Sequence, residues 1–171
     1  MHFYFYSKEK NKNQIVKVEA KPKPILSHSG CITRLKLLSN GKILSNSTAD
    51  KRIIMYDFSS GNLKAINGFT GHDAISTPLV EFNDTLLSGD YSGNLLIWSL
   101  KDFELKDKVE TNNSAIAELS QLTDGRLLAF YSNDTFKILD PSKNFAASLE
   151  LKSSSKYAKI ALQNPINGLL A

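Results

Sequence analysis

Three histidines, one thiol and a short serine–aspartate–glycine run are the side chains of this sequence that could do chemistry. His2, His28 and His72 lie far apart along the chain, and Cys31 is the single cysteine. A zinc-type site needs three or four His, Cys or carboxylate ligands, and its sequence mark is a closely spaced pair. No such pair accompanies these residues, so no metal and no cofactor is expected. Ser88, His72 and Asp90 would supply the nucleophile, base and orienting acid of a hydrolase. However, the Gly-x-Ser-x-Gly elbow that exposes such a serine is missing, and the same residue types build purely structural hydrogen-bond networks. Ser88-Gly89-Asp90-Tyr91-Ser92-Gly93 is too short to cradle a phosphate and lies between two strand-like runs, where it reads as turn chemistry. The expectation is a protein without catalysis of its own.

Charge opens a second possibility. The formal net charge is +4, and the first 24 residues carry all of it: Lys8, Lys10, Lys12, Lys17, Lys21 and Lys23 against Glu9 and Glu19. Such a segment could meet phosphate or an acidic surface, with Phe3, Tyr4, Phe5 and Tyr6 stacking on bases. Lysine-rich turns between strands are commonly just solvated, and contiguous aromatics on a strand alternate between core and edge. Binding of nucleic acid or an acidic surface is therefore the alternative to a protein-binding role, not the leading reading.

The 171 residues, 42% of them apolar, suffice for one domain with a buried core. Apolar runs are only a handful of residues long, against the ~20 needed to span a bilayer, and Lys8 ends the N-terminal one too early for a signal peptide. A lone cysteine fits a reducing compartment, so the expected location is cytoplasmic. Cys31, at the start of a strand, is expected to be buried.

Positioning elements come into view through repetition. The segments 44–57, 86–99 and 127–140 superpose without a gap and bring Tyr56, Trp98 and Leu139 to one template position, 42 and then 41 residues apart. Each repeat reads as strand, turn, strand, polar turn, strand. In the first, Ile32–Leu37 alternates, Ser39-Asn40-Gly41-Lys42 turns and Lys42–Ser45 pairs back; in the third, Ile116–Gln121, Thr123-Asp124-Gly125 and Arg126–Phe130 do the same. Outer strands are expected at 63–66, 103–106 and 146–151. Gly, Asn, Asp and Ser recur every few residues, which excludes long amphipathic helices. The fold should be all-β.

Gly71-His72 ahead of the second repeat and Trp98-Ser99 at its close resemble the Gly-His to Trp-Asp frame of the WD40 family, whose ~40–45-residue period also matches. In the first repeat Ser27-His28 stands for Gly-His, Asp50 for the turn aspartate and Tyr56-Asp57 for Trp-Asp. The resemblance implies a β-propeller of four-stranded antiparallel blades, with His, Asp, Ser and Trp hydrogen-bonded inside a blade in a structural role. On the ungapped alignment Asn46 occupies the strand-serine position of the first repeat, Ser92 the aspartate position of the second, and Asn133 and Leu139 the aspartate and tryptophan positions of the third. No repeat then holds the complete set. The expected blade frame is His28, Asp50, Tyr56, Asp57, Gly71, His72, Ser88, Trp98 and Asn133.

The boundaries follow: blades at 26–67, 68–110 and 111–152, with half-blades at 1–25 and 153–171, about four blades' worth. The first half-blade has a third strand at His2–Ser7, with Tyr6 at the tryptophan position, and an outer strand at Gln14–Glu19. The last has a first strand at Tyr157–Leu162, a turn at Asn164–Gly168 and the start of a second strand at Leu169–Ala171. An open or incomplete ring is expected, completed by a second copy or another chain because bare strand edges associate. The family resemblance implies a scaffold that docks a protein or peptide on propeller-face loops. Candidate positions are Ser29, Asp73, Asn112 and Asn113, with Arg52 and the turn at Asn94 expected on the opposite side.

Overall fold

The computed structural model describes residues 4–9, 12–17, 28–74, 76–112 and 114–152. Among them β1 (Tyr4–Glu9) and β2 (Lys12–Lys17) form an antiparallel hairpin in which Tyr6 lies opposite Ile15. Three four-stranded antiparallel sheets follow. Blade one comprises β3 (Ile32–Leu37), β4 (Ile43–Ser47), β5 (Ile53–Asp57) and β6 (Lys64–Phe69). Blade two comprises β7 (Ser76–Phe82), β8 (Thr85–Asp90), β9 (Asn94–Ser99) and β10 (Leu105–Glu110). Blade three comprises β11 (Ile116–Gln121), β12 (Leu127–Tyr131), β13 (Thr135–Asp140) and β14 (Ala146–Lys152). In each blade the strands pair in chain order, a plain meander.

The turns follow from residue type. Between β3 and β4 the Leu38 amide donates to Lys42 O at 2.8 Å, and Asn40 Oδ1 accepts from the Lys42 amide at 3.1 Å. Gly41 supplies the positive φ of 80° that this turn requires. The β11–β12 turn repeats the arrangement with Leu122, Asp124, Arg126 and Gly125. Each inner strand carries a register irregularity near its start, at Ile32/Arg34, Ser76/Leu79 and Ile116/Glu118.

The repeats do not superpose without a gap. Trp98 pairs with Leu86 and Leu139 with Leu127, but Tyr56 pairs with Ile43, so the β4–β5 turn holds one residue more than its counterparts.

Two apolar clusters fill the spaces between blades. Leu38, Leu44, Ile53, Met55 and Phe69 of blade one meet Leu86, Leu96 and Trp98 of blade two. Val80, Leu87, Leu95 and Ile97 of blade two meet Ile116, Leu119, Leu127, Ala129, Tyr131 and Leu139 of blade three. Side chains alternate across a strand, so β9 sends Leu96 and Trp98 to one neighbour and Leu95 and Ile97 to the other. This is why all six of its residues are buried. Gly89 marks the tightest approach, since a Cβ there would lie 2.8 Å from Ile116 Cβ and 2.9 Å from Pro78 Cγ. Among the described residues the three blades form an arc and not a closed ring. No helix in them is long and apolar enough to cross a membrane.

Candidate functional site

The β6–β7 linker delivers His72 to the end of blade two. Its Nε2 lies 2.7 Å from Ser88 Oγ and its Nδ1 3.3 Å from Asp90 Oδ2, while Trp98 Nε1 donates to Ser88 Oγ at 2.7 Å. Because an indole N–H can only donate, one arrangement satisfies every group: Trp98 donates to Ser88, Ser88 to His72 Nε2, and His72 Nδ1–H to Asp90. Asp90 also accepts from the amides of Ser92 and Asn94 and from Asn94 Nδ2, at 2.9, 3.0 and 3.2 Å. Burial pushes the Asp90 carboxyl up, but the hydrogen bonds from His72 and Asn94 outweigh it and hold it below the ordinary carboxylate value. The His–Ser–Asp–Trp set is therefore complete in blade two, contrary to the ungapped alignment. Its carboxylate is Asp90 at the end of β8, not the exposed Ser92. Gly71 stands against this network, where a Cβ would sit 3.1 Å from Trp98 Cη2.

Blade one builds the same network on Ser45. His28 Nε2 is 2.8 Å from Ser45 Oγ, and His28 Nδ1 is 3.0 Å from Asp50 Oδ2. The strand serine is thus Ser45 rather than Asn46, because the extra turn residue shifts the alignment by one. Asn46 is buried and accepts from Thr33 Oγ1. Asp50 further accepts from the amides of Ser29 and Arg52 and from the Arg52 guanidinium. Burial again raises the carboxyl, and the amides of Ser29 and Arg52 with His28 bring it below its usual value. Tyr56 OH lies 3.4 Å from Ser45 Oγ, a looser closure than Trp98 gives. Asp57 caps the next turn through the Ser59 amide and takes no part in the network.

Blade three has a different interior. Ala129 and Leu139 stand where Ser88 and Trp98 do, and Tyr131 takes the place of Asp90. Tyr131 OH donates to Thr111 Oγ1 at 2.7 Å, and burial pushes the phenol up to about 12. Lys137 Nζ donates to Thr111 O at 2.9 Å, pairs with Glu150 at 3.2 Å and lies 5.7 Å from the Tyr131 ring centroid. Asn133 is exposed and accepts the turn amide of Thr135, so among the described residues it lies apart from this interior. Nothing in the repeat pattern marked Thr111, Tyr131 or Lys137. The signal available was a tyrosine where the template wants a carboxylate.

The Ser88, His72 and Asp90 set offers no accessible nucleophile. Ser88 has no exposed surface, and its hydroxyl is engaged by both His72 and Trp98. No group of three or more His, Cys, Asp or Glu comes together among the described residues. Cys31 is exposed rather than buried.

The inter-blade linkers and the central turns share one end of the blades. In a meander the turn between the second and third strands returns to the end where the first strand begins. Accordingly the Ser29 amide donates to Asp50, Lys51 Nζ to Asp73 O, and the Thr111 amide to Gly93 O. Arg52 and Asn94 therefore lie on the same side as Ser29, Asp73 and Asn112, not opposite them. Asp73 is exposed and held by Lys108 at 2.7 Å, a bond that lowers its carboxyl below the usual range. Tyr91, which the sequence offers only as part of a turn, is 54% exposed beside Asp90. Asn113 falls outside the described residues, as do the half-blade at 153–171 and the segment between β2 and His28.

No family model matches the chain. It is 29% identical over 139 residues to a WD repeat-containing protein 55 homolog of Drosophila willistoni, covering 81% of this chain and 24% of the relative. The Drosophila melanogaster homolog is 27% identical over 140 residues, 76% of this chain and 26% of the relative. The chain thus spans about a quarter of the length of these relatives. Among solved structures, the WD40 repeats of RRP9 superpose with TM-score 0.65 at 20% identity, over 75% of this chain and 41% of that one. U3-55K superposes with TM-score 0.66 at 19% identity and the same shares. The designed protein Ika4 superposes with TM-score 0.58 at 21% identity, over 74% of each chain. With its period, its blades and these likenesses, the chain is similar to WD40-repeat proteins over part of their length and has their fold in part, an all-β array of four-stranded propeller blades.

Proposed function

We propose that the chain is a non-catalytic scaffold whose loop-bearing blade ends dock a protein or peptide partner. The observation that carries this reading is the gathering of Ser29, Arg52, Asp73, Tyr91 and Asn112 at one end of the three blades, on loops tied to the buried networks. Loops fixed from below lose little entropy on binding, and an exposed tyrosine and an arginine at the same end of the blades supply residue types that dominate interface energies. The sequestered Ser88 supports the absence of hydrolysis. The free, exposed thiol of Cys31 supports a reducing compartment such as the cytoplasm.

The test is affinity capture with the whole protein and with the variants Tyr91→Ala, Asp73→Lys and Asn113→Lys. The expected outcome is that at least Tyr91→Ala and Asp73→Lys lose the partners recovered by the parent, while circular dichroism stays unchanged. Identical partner sets for all four proteins would reject the loop end as the docking surface.

A further inference from the structure

The inner strands β3, β7 and β11 line one groove of about 380 Å³ along the inside of the arc. Their ladder partners set its levels. Leu35, Leu79 and Leu119 lie opposite Ser45, Ser88 and Ala129, so the residues before them, Arg34, Pro78 and Glu118, share one level, and the residues after them, Lys36, Val80 and Ser120, the next. At the first level Arg34 Nη2 meets Glu118 Oε2 at 3.3 Å. At the second, Lys36 of blade one stands where blade two has Val80, 6% exposed and packed in the cluster shared with blade three. Lys36 is half-buried, and among the described residues its ammonium makes neither a hydrogen bond nor an ion pair. The Ser120 hydroxyl and the Gln121 amide also line the groove and have no partner among the described residues. Glu81 is already engaged, since its two oxygens accept from the Ser39 amide at 2.7 Å and the Ser39 hydroxyl at 2.6 Å.

We propose that this groove binds a small carboxylate with an apolar tail, its anionic group held by Lys36 and Arg34. A half-buried ammonium without a counter-charge favours an anion beside it. A guanidinium has five N–H donors, and the contact to Glu118 leaves most of them free for a ligand. Arg34 and Lys36 are two residues apart on β3, so they leave the same side of the strand at a spacing of about 7 Å, which one carboxylate between them can bridge. Glu81 and Glu118 also line the groove. A singly charged ligand therefore meets less repulsion there than a doubly charged phosphate would. Leu35, 52% exposed, and the half-buried Leu79 give the tail apolar surface to cover. The volume lies at the small end of the ~300–1,000 Å³ usual for ligand pockets.

The experiment titrates the whole isotope-labelled protein with hexanoate and, in parallel, with hexanol, which has the same tail without the charge. Hexanoate should give saturable NMR shifts of the β3, β7 and β11 amides with a Kd of about 1 mM, and hexanol should give none. Lys36→Met should weaken hexanoate about tenfold or more, the effect of losing one charged hydrogen bond. Val80 shows that an apolar side chain is accepted at this level of the groove. Glu118→Gln should tighten binding, because Arg34 then loses its competing carboxylate. General loss of structure would weaken both variants, so the opposite signs separate ligand binding from stability. The proposal is overturned by a failure to saturate at tenfold that concentration, by an equal response to hexanol, or by a Kd that is unchanged in Lys36→Met or not tightened in Glu118→Gln. The groove lies on the inner strands and the docking variants lie on loops, so neither experiment decides the other.

Discussion

Ser88 joins the two halves of the blade-two network, because its hydroxyl both accepts from Trp98 and donates to His72. Replacing it with alanine removes one oxygen and strands two buried polar groups, a loss of about 1–3 kcal/mol for each left unpaired. Ser88→Ala should therefore lower the urea midpoint markedly with little change in the slope of unfolding. Ser45→Ala should cost less, since Tyr56 OH is held only at 3.4 Å and blade one retains the Asp50 bonds to Ser29 and Arg52. Equal midpoints for the two variants would contradict this ranking. The carboxylates make a second, independent statement. Asp50 and Asp90 both have folded pKa values below the ordinary 3.8. In the window between the folded and unfolded values the unfolded chain binds more protons, so stability rises with pH there. Their contribution is fully present above the unfolded value and is lost as pH falls through the depressed folded one. Urea midpoints followed downward from about pH 6 should hold and then fall below roughly pH 4, and Asp90→Asn should flatten that fall. A fall of unchanged steepness in Asp90→Asn would remove Asp90 as its source.

At the scale of strands, Gly89 shows what the inter-blade seam demands. A methyl group there would meet Ile116 and Pro78 at 2.8–2.9 Å, inside contact distance, and neither neighbour is a flexible side-chain end. Gly89→Ala should destabilise by about 1–3 kcal/mol through overpacking. Pairing it with Ile116→Ala should recover part of that loss, which a double-mutant cycle on denaturant midpoints would measure. Additive single-mutant costs would mean that the seam is not where the strain lies. The strands themselves were largely legible in the sequence. Ile32–Leu37 and Ile116–Gln121 alternate cleanly and begin and end where the structure has them. The ends of the outer strands were displaced by up to four residues, most at β10, which is almost wholly exposed and carries almost no apolar pattern to mark its ends. The blade-one network was misassigned for a different reason. Ser45-Asn46-Ser47-Thr48 offers four small polar residues in succession, and only the pairing of Ile43 with Tyr56 decides which of them faces the histidine. Asp90 was visible as a partner for His72 and Ser88, but a fixed spacing of six residues before the aromatic pointed to Ser92 instead. The loop end was split between two sides for want of that pairing, which brings Ser29 and Arg52 to one carboxylate.

Over the whole array, each blade is stabilised by its neighbours. Among the described residues, blade one shares its apolar cluster only with blade two, and blade two shares the second cluster only with blade three. Blades one and three meet through Arg34 and Glu118, an ion pair at 3.3 Å with both side chains about half exposed, 51% and 48%. Such a pair is worth roughly 0–1 kcal/mol, far less than either cluster. Stability should then behave as a sum of blade terms and nearest-neighbour interface terms, as in other repeat arrays. Strand β9 allows a direct test, because adjacent leucines point to opposite neighbours: Leu96 toward blade one and Leu95 toward blade three. Either leucine to alanine should cost about 2–5 kcal/mol, but the loss should spread in different directions. In hydrogen exchange, Leu96→Ala should deprotect β4 and β5 more than β12 and β13, and Leu95→Ala should do the reverse, with β8 and β9 weakened in both. Truncation at Ile138, on the outward face of blade three, should leave blade one nearly unchanged. If all three blades instead lose protection equally in every variant, the array unfolds as one unit. The energetic boundary between neighbours drawn from the two clusters would then be wrong.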